Sequence, residues 1–568
     1  MRITVRASAI LSCVIALACS RDGTGALTAA GTTATPTVLS ANGVVSLTAG
    51  ATATYDATRG GTCISDPVAA GLIYKLTLTG ATAGLSTNGG TITGTPTTPG
   101  VVSATLTATD ALGRAVTDQF SIVVFAAGLP FPVLPATAYQ YADAEVPLPA
   151  HFTSAVNGTI ASLTDNTPTA NPITDAGAAL GRVLFYDPRV SANDGLSCAS
   201  CHIQSLGFSD RLPLSIGFAG GLTGRHTPGL TNGRFYRRGR FFWDERAATL
   251  EDQVLGPVQS PVEMGMSLDK LVVKVVATPY YPPLFAAAFG SGTVTSARIA
   301  QALAQYTRSL VSTGSRYDRA FTSNVPNFAA SFTPQEQLGE QLFRTTGCAS
   351  CHSTVTQVSD SVYNIGLDAT PSDTGTGRGA FKAPSLRNAA VRPRFMHDGR
   401  FFTLAQVIDF FDGGVQPAAG LDARLKAADG TPKRLGLTAN QKTALIAFLG
   451  TLTDSAFLTA PRFASPFTSL VAPIPSPPTT PTPASSAALT IQFTAYHPAS
   501  ITVAKGARLT WTNLDNQRHS ASFTSATIGA TPIFTSGSQS LVMPNVAGSY
   551  HYQCAVHGAA MSGTVIVQ

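Results

Sequence analysis

Two copies of Cys-x-x-Cys-His constrain this chain more than any other feature: Cys198-Ala199-Ser200-Cys201-His202 and Cys348-Ala349-Ser350-Cys351-His352. Two thiols at this spacing can add to the two vinyl groups of one haem, and the adjacent imidazole becomes a ligand of its iron. Two rival chemistries use the same cysteines. Zinc can be enclosed by two C-x-x-C pairs, but it has no use for a histidine directly after each pair. A redox dithiol belongs in a βαβ setting, and no such pattern surrounds either copy. The spacing therefore predicts two covalently bound c-type haems.

The N-terminus agrees with that chemistry. In residues 1–19 (MRITVRASAILSCVIALAC), Arg2 and Arg6 precede the apolar stretch Ala7 to Ala18, which is too short to span a bilayer as a mature helix. Residues 1–18 read as a secretory signal, and Leu17-Ala18-Cys19 resembles a bacterial lipoprotein cleavage site with Cys19 as the lipidated first residue. The expected location is the periplasm or cell surface, with a lipid anchor in a bacterial membrane. Charged residues are only 12% of the 568, and the net charge of +6 includes no Lys/Arg run, so nucleic acid is not an expected partner. Eight cysteines are too few for a disulfide scaffold.

The chain divides by patterning into a multidomain protein. Residues 27–127 are rich in Thr, Ala, Gly and Val, with alternating runs at 44–48, 72–78, 102–107 and 120–124 separated by Gly/Pro/Asn turns. This is the pattern of an all-β sandwich, and it resembles bacterial Ig-like domains. Cys63 stands alone there and reads as a half-buried thiol. Residues 128–470 are mainly α, with helical periodicity at 297–311, 334–343 and 439–452. Thr333 with Glu336, and Thr438 with Gln441, form capping boxes at two of these starts. Residues 471–486 (VAPIPSPPTTPTPASS) are a Pro-rich linker, and residues 487–568 return to β patterning.

Beyond the haem motifs, the stretch from about 140 to 455 resembles the bacterial di-haem cytochrome c peroxidase/MauG family. The matching segments are Leu180 to Asp187, Phe241-Phe242-Trp243-Asp244-Glu245-Arg246, Pro261-Val262-Glu263-Met264, Phe381 to Asn388, and Phe395-Met396-His397-Asp398-Gly399. The resemblance implies a tandem c-type cytochrome domain in which one haem binds peroxide and the other feeds it electrons. It makes His202 proximal at the peroxidatic iron and His352 proximal at the electron-transfer iron. Glu263 matches the family's distal acid–base carboxylate, Trp243 the tryptophan between the haems, and Gln253 a further distal polar position. The sequence departs from the family at three places. Phe218 stands where classical members carry a displaceable second histidine, which implies an open sixth position. Phe411 stands where the second iron's Met or Tyr is expected, leaving Met396 and Tyr363 as candidates. His226 replaces the asparagine of an inter-haem calcium site and puts calcium in doubt.

The last module resembles plastocyanin-like cupredoxins. His519, Cys554, His557 and Met561 form a His₂Cys set with an axial Met, the blue-copper pattern for one type 1 copper ion. Strand alternation turns His551 to the face opposite Tyr552 and Cys554. Together the resemblances imply an exported peroxidase that reduces hydrogen peroxide to water. Its expected electron donors are a reduced cytochrome c or cupredoxin, with the fused copper domain as a relay. The alternatives are a MauG-like oxidase of a protein or organic substrate using high-valent haem, and a non-enzymatic electron-transfer lipoprotein.

Overall fold

A computed structural model describes residues 35–66, 71–156, 158–467 and 484–568, apart from 493–494, 498–499, 515–516 and 526. The signal segment with Cys13 and Cys19, and linker residues 471–483, lie outside the described residues. The chain forms two compact units, divided after Leu470.

The first unit opens with a β-sandwich. Strands Val45–Thr48, Ala115–Phe125, Gly100–Thr109 and Ile73–Gly80 form one sheet in that order, with Val45–Thr48 parallel to its neighbour. Ala53–Asp56, Thr91–Gly94 and Leu85–Asn88 form a second sheet. Alternation along Gly100–Thr109 buries Val102, Ala104, Leu106 and Ala108 against Ile92, Phe120 and Ile122. Cys63 is fully buried in this core, deeper than the half-buried position expected of it, with its thiol against the Ala57 carbonyl. The sandwich is fastened to the helical part of the same unit. Ala126 N–H donates to the Asp194 carboxylate at 2.8 Å, and Asp194 forms a buried ion pair with Lys274.

The remainder of this unit is built twice on one plan. Helices Asp175–Tyr186 and Ser296–Ser309 cross in the first half, and Pro334–Thr345 and Ala439–Thr451 cross in the second. The three helices expected from periodicity are present, and both expected capping boxes are formed. Each crossing has a glycine at closest approach. A Cβ on Gly181 would lie 1.9 Å from the Ala302 carbonyl oxygen, and one on Gly339 would lie 1.9 Å from that of Ala444. Each half then runs from its Cys-x-x-Cys-His turn to a segment ending in a left-handed asparagine, Asn232 (φ 60°) or Asn388 (φ 58°). The same N–H of each asparagine closes on the end of its own half, Asn232 on the Leu310 carbonyl and Asn388 on the Leu452 carbonyl. The halves also exchange backbone bonds: His226 N–H donates to the His397 carbonyl at 2.7 Å, and Lys382 N–H to the Trp243 carbonyl at 2.9 Å.

The second unit is a sheet-built barrel-like sandwich. Ser500–Asn513 runs through both of its sides, pairing parallel with Ala484–Gln492 through residues 508–513 and with Gly558–Val567 through residues 500–503. Trp511, Leu509, Ile491, Tyr552 and Val565 fill the core. The first strand starts at Ala484, so residues 484–486, which composition places in the linker, belong to the sheet.

The paired glycines generate a direct test. Gly181→Ala and Gly339→Ala each drive a methyl into a backbone carbonyl, so each variant should lose about 1–3 kcal/mol or more of stability. Chemical denaturation of the holoprotein measures this, and a change within error would contradict the close-approach account.

Candidate functional site

Each Cys-x-x-Cys-His segment folds as one tight turn. Ser197 and Ser200 cap the first reciprocally, and Gly347, at φ 104°, enters the second. Both turns aim the histidine in the same way. His202 Nδ1 donates to the Phe208 carbonyl at 2.8 Å, and His352 Nδ1 to the Gln357 carbonyl at 3.1 Å. The acceptors are presented by residues in the left-handed region, Phe208 (φ 60°) and Gln357 (φ 50°). With Nδ1 engaged, Nε2 is the nitrogen left for a metal, the arrangement that fixes tautomer and ring orientation in metal-ligating histidines. Burial pushes both imidazoles towards the neutral form, His352 to about 4. All four thiols are free of disulfides. The two pairs do not converge: among the described residues, the one cluster of His, Cys, Asp and Glu able to enclose a metal is His519, Cys554 and His557. Donor chemistry therefore fits two separate haems and not a shared zinc.

Beside His202 lies a cavity of about 490 Å³. Trp243, Gln253 and Glu263 all line it, so the residues that sequence singled out for chemistry are brought together. Gln253 projects from helix Leu250–Gln259, whose N-terminus is capped by Thr249. The chain then folds back over the helix end, with Met264 N–H on Pro257, Gly265 N–H on Ser260 and Met266 N–H on Val258. This return fixes Glu263, and burial raises its carboxyl above the usual range, partly opposed by the Arg246 charge. Trp243 is tied at two points: its indole N–H donates to the His226 carbonyl at 2.7 Å and its own carbonyl accepts from Lys382.

Phe218 packs under this return. Its N–H donates to the Glu263 carbonyl at 2.9 Å, and a Cβ on Gly265 would meet its ring at 2.3 Å. It is not among the cavity-lining residues. Phe411 lies in the wide turn Phe410–Gly414, within an apolar cluster that includes Met396, Phe401 and Leu421. The Tyr363 hydroxyl is bonded to Ser359, and Arg424 covers its ring at 4.2 Å.

Sequence reading missed several groups. Lys382 lines the cavity with its ammonium 4.2 Å from the centre of the Tyr236 ring, and burial pushes it down to about 8. Tyr236 in turn donates to the buried Glu245. Arg225 bridges Asp244 and Asp373 at 2.6 and 2.7 Å along the cavity lining. The only signal for Lys382 was its place in Phe-Lys-Ala-Pro, which echoes Arg-His-Thr-Pro at 225–228.

In the second unit, Cys554 Sγ lies 3.8 Å from His519 Nδ1 and 3.4 Å from His557 Nδ1, and the three ligand atoms fall within 4.8 Å of one another. His519 and Cys554 are fully buried, and Met561 is buried in the same core. Ser520 Oγ accepts the Ala555 N–H, bracing the ligand loop against the connecting segment that carries His519. His551 faces solvent, as alternation predicts, and bonds Thr564. Two nitrogens and one thiolate at one point suit copper and offer nothing to a substrate.

A helical unit with two haem-attachment turns and a distal carboxylate cavity, together with a β unit carrying a His₂Cys centre, defines a di-haem c-type oxidoreductase with a blue-copper domain. The model of the di-haem cytochrome c peroxidase family matches residues 175–325, and that of cupredoxin-like domains matches residues 469–567. The methylamine utilization protein MauG of Methylorubrum extorquens is 37% identical over 308 residues, covering 52% of this chain and 83% of the relative. Cytochrome c551 peroxidase of Nitrosomonas europaea is 33% identical over 247 residues, covering 41% and 71%. A solved MauG-like protein associated with microbial copper homeostasis is 32% identical, with a TM-score of 0.47 over 53% of this chain and 96% of that one. The chain belongs to the di-haem cytochrome c peroxidase/MauG family, and its C-terminal domain is a cupredoxin.

Proposed function

We propose that this protein reduces hydrogen peroxide to two waters, taking two protons and two electrons per peroxide. The observation that carries the reading is the single cavity that joins His202, Glu263, Gln253 and Trp243. When bound, the His202 haem supplies the redox iron at which the peroxide O–O bond is cleaved. The protein's own groups do the rest. Glu263, ionised, takes a proton from the entering peroxide and returns it to the departing oxygen, which is general acid–base work. Gln253 orients the substrate by hydrogen bonding. Trp243, held by both halves, is the conduit for electrons from the His352 haem.

The reading does without calcium. His226 spends its ring nitrogens on Ser209 and on the carbonyls of Leu212 and Pro213, and the cavity lining already carries the cations Lys382, Arg225, Arg234 and Arg246. Electrons enter from a reduced cytochrome c or cupredoxin, or through the fused copper centre, whose tether raises its local concentration. The secretory signal and the lipoprotein-like Cys19 support a location outside the cytoplasm, with the protein held to a bacterial membrane by lipid. The 37% identity to a MauG protein supports a second reading, oxidation of a protein or organic substrate at the same cavity. Oxidation products of an added protein or organic substrate, formed with peroxide, would favour it.

Glu263→Gln should lower kcat/KM for peroxide by roughly 10²–10⁴-fold while leaving haem content unchanged. In the parent protein, activity should fall as pH drops through the raised Glu263 pKa, because the base is then protonated. That acid limb should be missing from the variant, and an unchanged limb would assign the base elsewhere. Phe218 cannot ligate iron and is packed onto Gly265, so the fully oxidised holoprotein should react with peroxide without prior reduction. Stopped-flow mixing should show a fast spectral change, and its absence would contradict an open site.

A further inference from the structure

The two halves share a backbone plan, and one of the positions where their side chains differ is the pair Tyr236 and Arg392. Tyr236 closes the short helical turn Gly233–Phe235 after Asn232, and Arg392 closes the turn Ala389–Val391 after Asn388. Tyr236 finds a carboxylate within its own half, that of Glu245. The corresponding left-handed position in the second half is Gly399, which has no side chain to offer.

Arg392 is thus a half-buried cation whose Nε is fully covered and which, among the described residues, has no carboxylate beside it. Its Nη2 donates to the carbonyls of Ser385 and Arg387 at 3.2 and 2.9 Å, but its buried Nε has no hydrogen-bond partner. Burial alone shifts its guanidinium, down to about 10, and no carboxylate opposes that shift. Its location is specific. A Cβ on Gly229 would lie 2.7 Å from its Cζ, and one on Gly207 would lie 3.6 Å from its Nε. Gly229 lines the cavity beside His202, and Gly207 precedes Phe208, the residue whose carbonyl aims His202. Two residues on, Arg394 also has a buried, unpartnered Nη1, while its Nε donates to Arg211 and its guanidinium stacks on Phe402 at 4.0 Å. An arginine remains charged under all ordinary conditions, so an Nε with no acceptor from the protein here is free to receive a carboxylate from outside the protein's own set.

We propose that Arg392 is the counter-charge of a propionate carboxylate of the haem on His202. The haem brings the anion that the second half lacks, and the paired charges hold that haem's edge and raise its reduction potential, because a buried cation favours the less positive, reduced iron. The inference rests on haem attachment at Cys198 and Cys201, which a pyridine haemochrome count checks separately.

The test is a spectroelectrochemical titration of both haems in the full-length holoprotein, compared with Arg392→Gln and Arg392→Lys. Arg392→Gln should keep two haems, lower the potential of the His202 haem alone, and make that potential more pH-dependent as the propionate gains a proton more easily. Arg392→Lys should restore part of the shift. Identical potentials and pH slopes in all three proteins overturn the proposal. Should Arg392→Gln lose haem or fail to fold, the propionate-bending band in the resonance Raman spectrum decides between the parent and Arg392→Lys: a shifted band supports the contact, an unchanged one overturns it. Acetate or phosphate added to the parent holoprotein should leave the His202 haem spectrum unaltered. An Arg392-dependent change on adding either would show a free-anion site and overturn the assignment.

Discussion

The arrangement of the di-haem unit depends on two backbone hydrogen bonds exchanged between its halves. His226 donates to the His397 carbonyl, and Lys382 donates to the Trp243 carbonyl. Because these are main-chain bonds, they fix the relative placement of the halves with little dependence on side-chain rotamers. They also hold Trp243 where its indole N–H reaches the first half through His226 and its carbonyl reaches the second through Lys382. The cavity beside His202 is bounded by segments of both halves, so neither half alone could build it.

Apolar packing replaces two polar features expected from family resemblance. Phe218 packs under the Glu263 return, with its N–H on the Glu263 main-chain carbonyl and its ring against Gly265, outside the cavity lining. Phe411 joins Phe410, Met396 and Phe401 in an apolar cluster. Both rings are half-buried, at positions where the family resemblance implied iron ligands. The first change favours direct reaction of the oxidised protein. The second bears on the other iron, because axial-ligand identity is a main determinant of haem potential.

Much of this was legible in the sequence where chemistry is local. The haem turns, the capping boxes at Thr333 and Thr438, the copper ligands around Cys554 and the outward face of His551 all follow from short-range spacing. Asn88-Gly89-Gly90-Thr91 closes a hairpin with a two-residue turn, yet the short Thr-rich strands on either side carry too few apolar residues to stand out. What sequence did not reveal is long-range. The carbonyls of Phe208 and Gln357 that aim the histidines come from left-handed residues that are not glycine, so no residue type announces them. The duplication is faint because Arg-His-Thr-Pro and Phe-Lys-Ala-Pro share only their proline, while their backbones do the same work. Lys382 and Arg392 become noticeable only once folding has buried them.

Of the two proposed electron routes, the one from the fused copper through the haems is the central claim. Its most direct test is to mix fully reduced full-length holoprotein with about 1.5 equivalents of hydrogen peroxide, enough to take the two haem electrons and the copper electron, and follow the blue absorbance of oxidised copper alongside peroxide loss. The account predicts that copper oxidises in step with peroxide consumption, at a rate independent of protein concentration. Copper that stays reduced while peroxide disappears, or a copper rate that scales with protein concentration, would contradict it.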